Sequence, residues 1–330
     1  GVAKPPKAAC SAAPHVLQCP FSSNEFYLER RPFVCTPSFG AGRTTVGMVF
    51  IMSEEAVNKA SAPKADNEGV YHLRLKQGDV PGYVILPGAP ERALKIAKNW
   101  ENPKEIASYR EYKTVTGTYK GMQLAATSTG IGGPSSEICI HELNTLGVHT
   151  CIRVGTTGCI VPQFDLGDLI IPVACYRKDG TSATYIEPEF PSFANPYVTM
   201  ALIQACENLG FRYGIGLDYT VGSFYIGQGR PLYEDGRKSY WPSFAEKILP
   251  DLATAGVTNI EMETAGQLVV GYLHGMRMGC ILSVISNRVL DRWGDNGGEE
   301  KTCLAAAEAM RILKEWDDSG TVTLKAKMKR

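Results

Sequence analysis

The chain has 330 residues, 44% of them hydrophobic and 21% charged, with 34 basic residues balanced by 34 acidic ones. That length is enough to bury a large core, as one big α/β domain or two ordinary ones. Zero net charge argues against a uniformly basic nucleic-acid surface while leaving room for a local anion pocket, and no apolar run approaches the roughly 20 residues a membrane helix needs. Neither nucleic acid nor a membrane is expected as a partner.

None of the ten cysteines stands in a Cys-x-x-Cys pair, which removes a zinc ribbon and a thioredoxin-type redox site from consideration. Most sit inside apolar runs, where cysteine acts as a small hydrophobe. Free thiols in a reducing, cytoplasmic compartment are expected. The opening Gly1-Val2-Ala3-Lys4-Pro5-Pro6 lacks the apolar core of a secretory signal, and the missing initiator Met is expected to reflect processing.

Residues 1–68 carry prolines at 5, 6, 14, 20, 32, 37 and 63 and hold no period of 2 or 3.6. They read as an N-terminal extension, ordered in part at best, with one strand-sized apolar patch from Val46 to Met52. From His72 the pattern alternates between strands and helices, the mark of an α/β domain, expected to occupy residues 69–318. Tyr83–Leu86 is an apolar strand, and Pro87-Gly88-Ala89-Pro90-Glu91-Arg92 leads into a helix expected to reach Trp100. Met122–Ser128 is a second strand; the helix after it presents Cys139, Leu143 and Leu146 and stops at Gly147. Cys151–Val154 and Gly167–Ala174 follow as strands, Val198–Leu209 as a helix closed by Gly210, and Tyr213–Phe224 as a strand. A helix at Glu263–His274, a strand at Cys280–Ser286 and a helix at Glu299–Trp316, packed through Cys303, Ala307, Met310 and Leu313, complete the domain. Residues 319–330 form a basic tail, expected to be solvated. With no repeat and no long linker, the expectation is one domain on a central mixed, twisted sheet flanked by helices.

Three junctions share a design in which an apolar strand gives way to glycine and a polar or cationic group. They are Leu86-Pro87-Gly88 with Arg92 one helical turn on, Ser128-Thr129-Gly130-Ile131-Gly132-Gly133, and Arg153 followed by Gly155-Thr156-Thr157-Gly158. Ligands collect at the carboxyl ends of strands in open α/β sheets. The third junction reads as a hydroxyl-rich turn that offers backbone N–H groups and an arginine fork to an anion. A tight turn with Arg153 in a structural ion pair is the alternative. A helix N-terminus at Gly88–Glu91 adds attraction for an anion, whereas Gly130-x-Gly132 does not complete a dinucleotide fingerprint.

Together with Glu261-Met262-Glu263, these motifs come in the order and spacing of the nucleoside phosphorylase-I family, which residues 70–316 resemble. Phe224-Tyr225-Ile226-Gly227-Gln228-Gly229-Arg230 is similar to the uracil-recognition segment of the family's uridine-cleaving members. The resemblance implies reversible phosphorolysis of uridine to uracil and ribose 1-phosphate, with deoxyuridine and thymidine as further candidates. Phosphate would be co-substrate and no cofactor would be required. It places Gly88, Arg92, Arg153 and Thr156 at the phosphate, with Arg110 contributed by a neighbouring subunit. His72, again from across an interface, Thr156, Met262 and Glu263 fall at the ribose. Thr157, Gly158, Phe224, Gln228, Arg230 and Ile285 fall at the base. Glu111, Ile131 and Ser135 match positions where relatives hold a structural K⁺ or Ca²⁺ at a dimer interface. A homo-oligomer with shared sites, dimer or hexamer, follows.

The sequence departs from the family pattern in two places. Gly88-Ala89-Pro90 stands where most members carry Gly-Asp-Pro, so a side-chain hydrogen bond within the loop is missing. Asn287 stands where purine-cleaving members place an Asp acid, and an amide is a poor general acid. A purine nucleoside phosphorylase and a non-catalytic nucleoside-binding homologue are the competing readings.

Overall fold

The computed structural model describes residues 59–320, apart from positions 234, 236 and 238. The apolar patch expected at Val46–Met52 and the tail from position 321 lie outside the described residues. Among the described residues one mixed sheet gathers eleven strands: β1 (Tyr83–Pro87), β2 (Glu101–Tyr109), β3 (Tyr112–Tyr119), β4 (Met122–Thr127), β5 (Thr150–Cys159), β6 (Leu169–Lys178), β7 (Ser192–Phe193), β8 (Tyr213–Val221), β9 (Val257–Glu261), β10 (Arg277–Asn287) and β11 (Arg292–Trp293). The helices are α1 (Pro90–Ala97), α2 (Gly133–Thr145), α3 (Thr181–Tyr185), α4 (Pro196–Leu209), α5 (Ile248–Thr254), α6 (Thr264–Leu273) and α7 (Gly298–Ser319).

β5 is the hub of the sheet. It pairs in parallel with β1 and β10 and, at its far end, antiparallel with β9. Because β10 also pairs with β6, β6 with β8 and β8 with β9, five strands close on themselves as a ring. β1, β4, β3 and β2 extend from β5 as an open arm. Strand side chains alternate between faces. Tyr83 and Ile85 therefore pack with α1, α4 and α7, while Val84 and Leu86 pack with α2 and α6. Both faces are covered by helices, which is why β1 reads as a continuous apolar run.

The helix ends follow their local chemistry. Asn195 caps α4 by accepting from the N–H groups of Tyr197 (3.1 Å) and Val198 (3.3 Å), Pro196 occupies the first turn, and Gly210 closes the helix at φ +66°. α7 buries Cys303, Ala307, Met310 and Leu313, the stripe expected from its sequence.

Several expectations are corrected. Gly155-Thr156-Thr157-Gly158 is not a turn: β5 continues through it to Cys159, with Gly155 opposite Leu282 and Gly158 opposite Ser286. Parallel pairing with β10 keeps the glycines extended, and a register shift between Val284 and Ser286 opens the ladder beside them. α1 ends at Ala97, before Trp100, and β8 ends at Val221, before Phe224. The β2–β3 hairpin and β9 were not expected. Their polar residues (Lys104, Glu105, Thr258, Asn259) mask the alternation, because β2 is an exposed edge and β9 has only five residues.

Candidate active site

A cavity of about 590 Å³ opens where the ends of β1 and β9, the loop after β4, the second half of β5 and the bulged end of β10 converge. Its floor is β5. Arg153 Nη2 lies 2.8 Å from where a Cβ on Gly155 would stand, and Arg230 Nη2 lies 3.7 Å from the same point on Gly158. Both arginines line the one cavity, beside positions three residues apart on β5, a span of roughly 10 Å along the strand.

At the first end, Gly88, Ala89 and Pro90 line the cavity at the start of α1. Ala89 holds the N-cap position with no side-chain hydrogen bond, so the orphan N–H groups of the first turn face a prospective ligand without a competing side chain. Arg92 reaches the same space; its Nη2 donates to Glu299 Oε1 at 2.8 Å, and its buried Nε has no partner among the described residues. β1 register places Leu86 opposite Arg153, which brings the two arginine-bearing segments side by side.

Arg153 is only 3% exposed. Its Nη2 contacts Glu263 Oε2 at 2.6 Å and Glu261 Oε2 at 2.8 Å, and its Nε donates to Thr264 Oγ1 at 3.2 Å. Nη1 has no hydrogen-bond partner among the described residues. The structural ion pair given as the alternative is present; it uses one edge of the fork, and Arg153 also lines the cavity. Burial opposes the charge, but Glu263 and then Glu261 hold the guanidinium pKa above its ordinary value.

Glu263 precedes α6 and accepts from the Gly132 N–H at 2.5 Å. Burial raises its pKa, Arg153 opposes this, and Glu261 adds to the rise. Met262 lies beside it on the cavity wall. Glu261, quoted in the sequence motif but not assigned a role, accepts from the N–H groups of Glu263 and Thr264, each at 2.8 Å. Despite burial, Arg153, then hydrogen bonds from the Asp218 and Thr220 side chains and the Glu263 N–H, hold it below the ordinary carboxylate range.

The second end carries Thr157, Gly158, Phe224, Gln228, Arg230 and Ile285. A single 3-10 turn, Ile226–Gln228, followed by Gly229 at φ +60°, presents Gln228 and Arg230 together. Gln228 Oε1 accepts from Arg230 Nη1, and the Arg230 guanidinium lies over the Phe224 ring, 4.2 Å from its centre. Arg288 holds this segment from behind by donating to the carbonyls of Gln228 (3.0 Å) and Gly229 (3.2 Å). Burial, and then the neighbouring Arg288, push the Arg230 pKa down to about 10. The group stays charged at neutral pH and gains from an anionic partner.

A family model described as the Phosphorylase superfamily matches residues 83–315. The chain belongs to the phosphorylase superfamily. It is 48% identical over 259 residues to a protein named uridine phosphorylase from Thermococcus kodakarensis, covering 78% of this chain and 92% of that one. It is 37% identical over 221 residues to the uridine phosphorylase of Escherichia coli, covering 66% and 86%. To the guanosine phosphorylase of Halorubrum lacusprofundi it is 30% identical over 218 residues, covering 66% and 83%.

Two residues assigned through the phosphorylase resemblance do not line the cavity of this chain. Arg110 sits at the exposed tip of the β2–β3 hairpin at φ +55°, over the Tyr109 ring. His72 is held by Glu142, whose carboxylate accepts from the His72 N–H and lies 2.7 Å from its Nδ1. Of the three residues matched to a cation, Glu111 and Ser135 meet, the Ser135 hydroxyl lying 2.8 Å from Glu111 Oε1 and 2.6 Å from the Thr129 carbonyl. Ile131 is 79% exposed beside them in sequence. These are hard oxygen donors with one carboxylate per chain, a set that suits K⁺ or Ca²⁺ only when a second copy doubles it. No cluster of three or more His, Cys, Asp or Glu side chains suited to a metal occurs among the described residues.

Sequence reasoning within the phosphorylase frame also missed Glu299, Ser286 and Trp293. All three lie at the cavity or hold a residue that does. They come from strand and helix ends whose meeting depends on the ring closure, and no local signal marks them.

Proposed function

We propose that this chain is a pentosyltransferase, a uridine phosphorylase that cleaves the nucleoside reversibly with inorganic phosphate. The observation that carries the reading is one cavity with an uncapped helix start and two arginines at one end, and a glutamine–arginine pair at the other. Phosphate occupies the first end, bound by the N–H groups around Gly88, by Arg92, by Arg153 Nη1 and by Thr156. The ribose lies on Met262 with its hydroxyls donating to Glu263, and Thr156 reaches it too. Uracil lies among Thr157, Gly158, Phe224 and Ile285, with Gln228 as donor and acceptor to its amide edge.

The chemistry follows from charge. As the C1′–N1 bond breaks, its electron pair leaves with the base and spreads onto the uracil carbonyl oxygens, where the Arg230 guanidinium stabilises it. The sugar becomes cationic and faces the hydrogen phosphate dianion, whose oxygen forms the new C1′–O bond while its proton ends on the departing uracil. Holding both reactants in line removes much of the barrier. No protein nucleophile is needed.

The test is a panel of nucleosides with and without phosphate. Uracil release that requires phosphate is expected; no uridine cleavage at saturating phosphate overturns the reading, and tight binding without turnover marks a non-catalytic homologue. Deoxyuridine and thymidine belong in the panel. Inosine and guanosine test the purine reading, which the guanosine phosphorylase relative keeps in view. Against purines, Asn287 is 1% exposed and fully engaged: Nδ2 donates to Val161 (3.2 Å) and Phe164 (2.6 Å) carbonyls, and Oδ1 accepts from Val289 and Leu290 N–H groups. Arg92→Ala is expected to raise the phosphate KM about 10- to 100-fold, the worth of one charged hydrogen bond, with a smaller change in the nucleoside KM.

Residues 69–318 are proposed as the catalytic unit, with 1–68 and 319–330 as extensions. A neighbouring subunit is proposed to lend Arg110 and His72, and a K⁺ or Ca²⁺ at Glu111, Ile131 and Ser135 to tie two copies together. A cytoplasmic location fits the seven free cysteines among the described residues, and no helix among them is long and apolar enough to cross a membrane.

A further inference from the structure

Asp218, on β8, is fully buried at 0% exposure and does not line the cavity. It nevertheless connects two of the cavity's walls. Asn259 Nδ2 donates to Asp218 Oδ1 at 2.5 Å and to Thr157 Oγ1 at 3.1 Å. On its other side, Asp218 Oδ2 lies 2.8 Å from Thr220 Oγ1, which lies 2.6 Å from Glu261 Oε1 and accepts from the Ala265 N–H at 2.9 Å.

Counting hydrogens bears on the protonation of this chain of contacts. A hydroxyl has one hydrogen to give, yet Thr220 stands at hydrogen-bond distance from two carboxyl groups. A proton on one of the carboxyls, donated to a lone pair of Thr220, satisfies both contacts. Glu261 is the wrong carrier, because its oxygens already accept from two backbone N–H groups and from Arg153. Asp218 receives the Asn259 amide and the contested Thr220 contact, and its carboxyl also interacts with the Glu261 carboxylate, which favours a proton on Asp218.

We propose that Asp218 is a neutral carboxylic acid, a positioning residue whose proton goes to Thr220 Oγ1. The Thr220 hydroxyl is thereby committed to Glu261, which orients Arg153, while the Asp218 carbonyl oxygen holds Asn259 and so Thr157. Charge counting agrees. Arg153 already faces Glu261 and Glu263, and a third buried carboxylate would have no cation of its own. Burial first, and then the Glu261 carboxylate, push the Asp218 carboxyl well above its usual range. The other titratable groups around it, Cys175 and Cys280, are buried thiols raised by burial and stay neutral.

The kinetic arm of the test rests on the uridine phosphorylase reading; the spectroscopic and melting arms do not. Infrared spectra of the wild-type chain at neutral pH should contain the carbonyl stretch of a protonated carboxyl, and Asp218→Asn should lack it. Asn reproduces a neutral donor and acceptor, so it should melt close to wild type and keep kcat/KM within about threefold. Asp218→Val fills the space without hydrogen bonds; it should melt lower and raise KM about tenfold, the worth of one hydrogen bond at each of its two contacts shared between stability and site geometry. Absence of the carboxyl band overturns the proposal, as does an Asn variant as impaired as the Val variant, or a Val variant that matches wild type in melting and KM.

Discussion

Gln228→Ala is expected to lower kcat/KM for uridine about 10²- to 10³-fold, in the range measured when one preorganised donor to a developing charge is removed, while leaving any residual inosine cleavage nearly unchanged. The side chain is 3% exposed and touches Arg230, so its loss removes the base contact and also takes a hydrogen-bond partner from the guanidinium that lies over Phe224. The folded chain should melt normally, since Arg288 holds the segment through backbone carbonyls rather than through the Gln228 amide. Steady-state kinetics on both nucleosides checks this. An equal loss on both would reject the assignment of this end of the cavity to the pyrimidine.

Arg153→Ala should damage both stability and activity. It leaves Glu261 and Glu263 buried with no counter-charge, and breaking a buried pair in that way costs about 3–5 kcal/mol. For a chain of this size the melting temperature should fall by roughly 10 °C. Activity should fall further than with Arg92→Ala, because Arg153, proposed to bind the anion, also contacts Glu263. A double substitution, Arg153→Ala with Glu263→Gln, should recover part of the stability but none of the activity. The calorimetric recovery reads the ion-pair role alone, since Glu263 is itself assigned to the ribose and its loss keeps activity low.

Much of this site is legible along the chain because its pieces are local. Gly88 through Arg92 is a strand end and a helix start, Gln228 and Arg230 share one short turn, and Glu261 through Glu263 joins β9 to α6. What is hidden is the pairing in space. Arg153 reads equally well as a structural or a ligand-binding group, and only the fold shows that it pairs with Glu261 and Glu263 while lining the cavity. Gly155-Thr156-Thr157-Gly158 looks like a turn because glycine and threonine punctuate loops, but its neighbours on β10 supply a ladder that no local pattern foretells. Asp218 did leave a trace, as a lone acid between Leu217 and Tyr219 in a strand; its meaning needed Asn259 and Thr220 beside it.

The attachment of β5 to three partners makes the tolerance of the chain to insertion and deletion uneven. Dropping one residue between Ile152 and Gly158 would turn each following side chain to the opposite face. Thr157 would leave its contact with the Ile260 carbonyl, and the glycines would lose their places against Leu282 and Ser286. Length changes among homologous sequences should therefore collect in the segment between Arg230 and Ile248, which joins no strand of the sheet among the described residues, and be absent from the ten residues of β5.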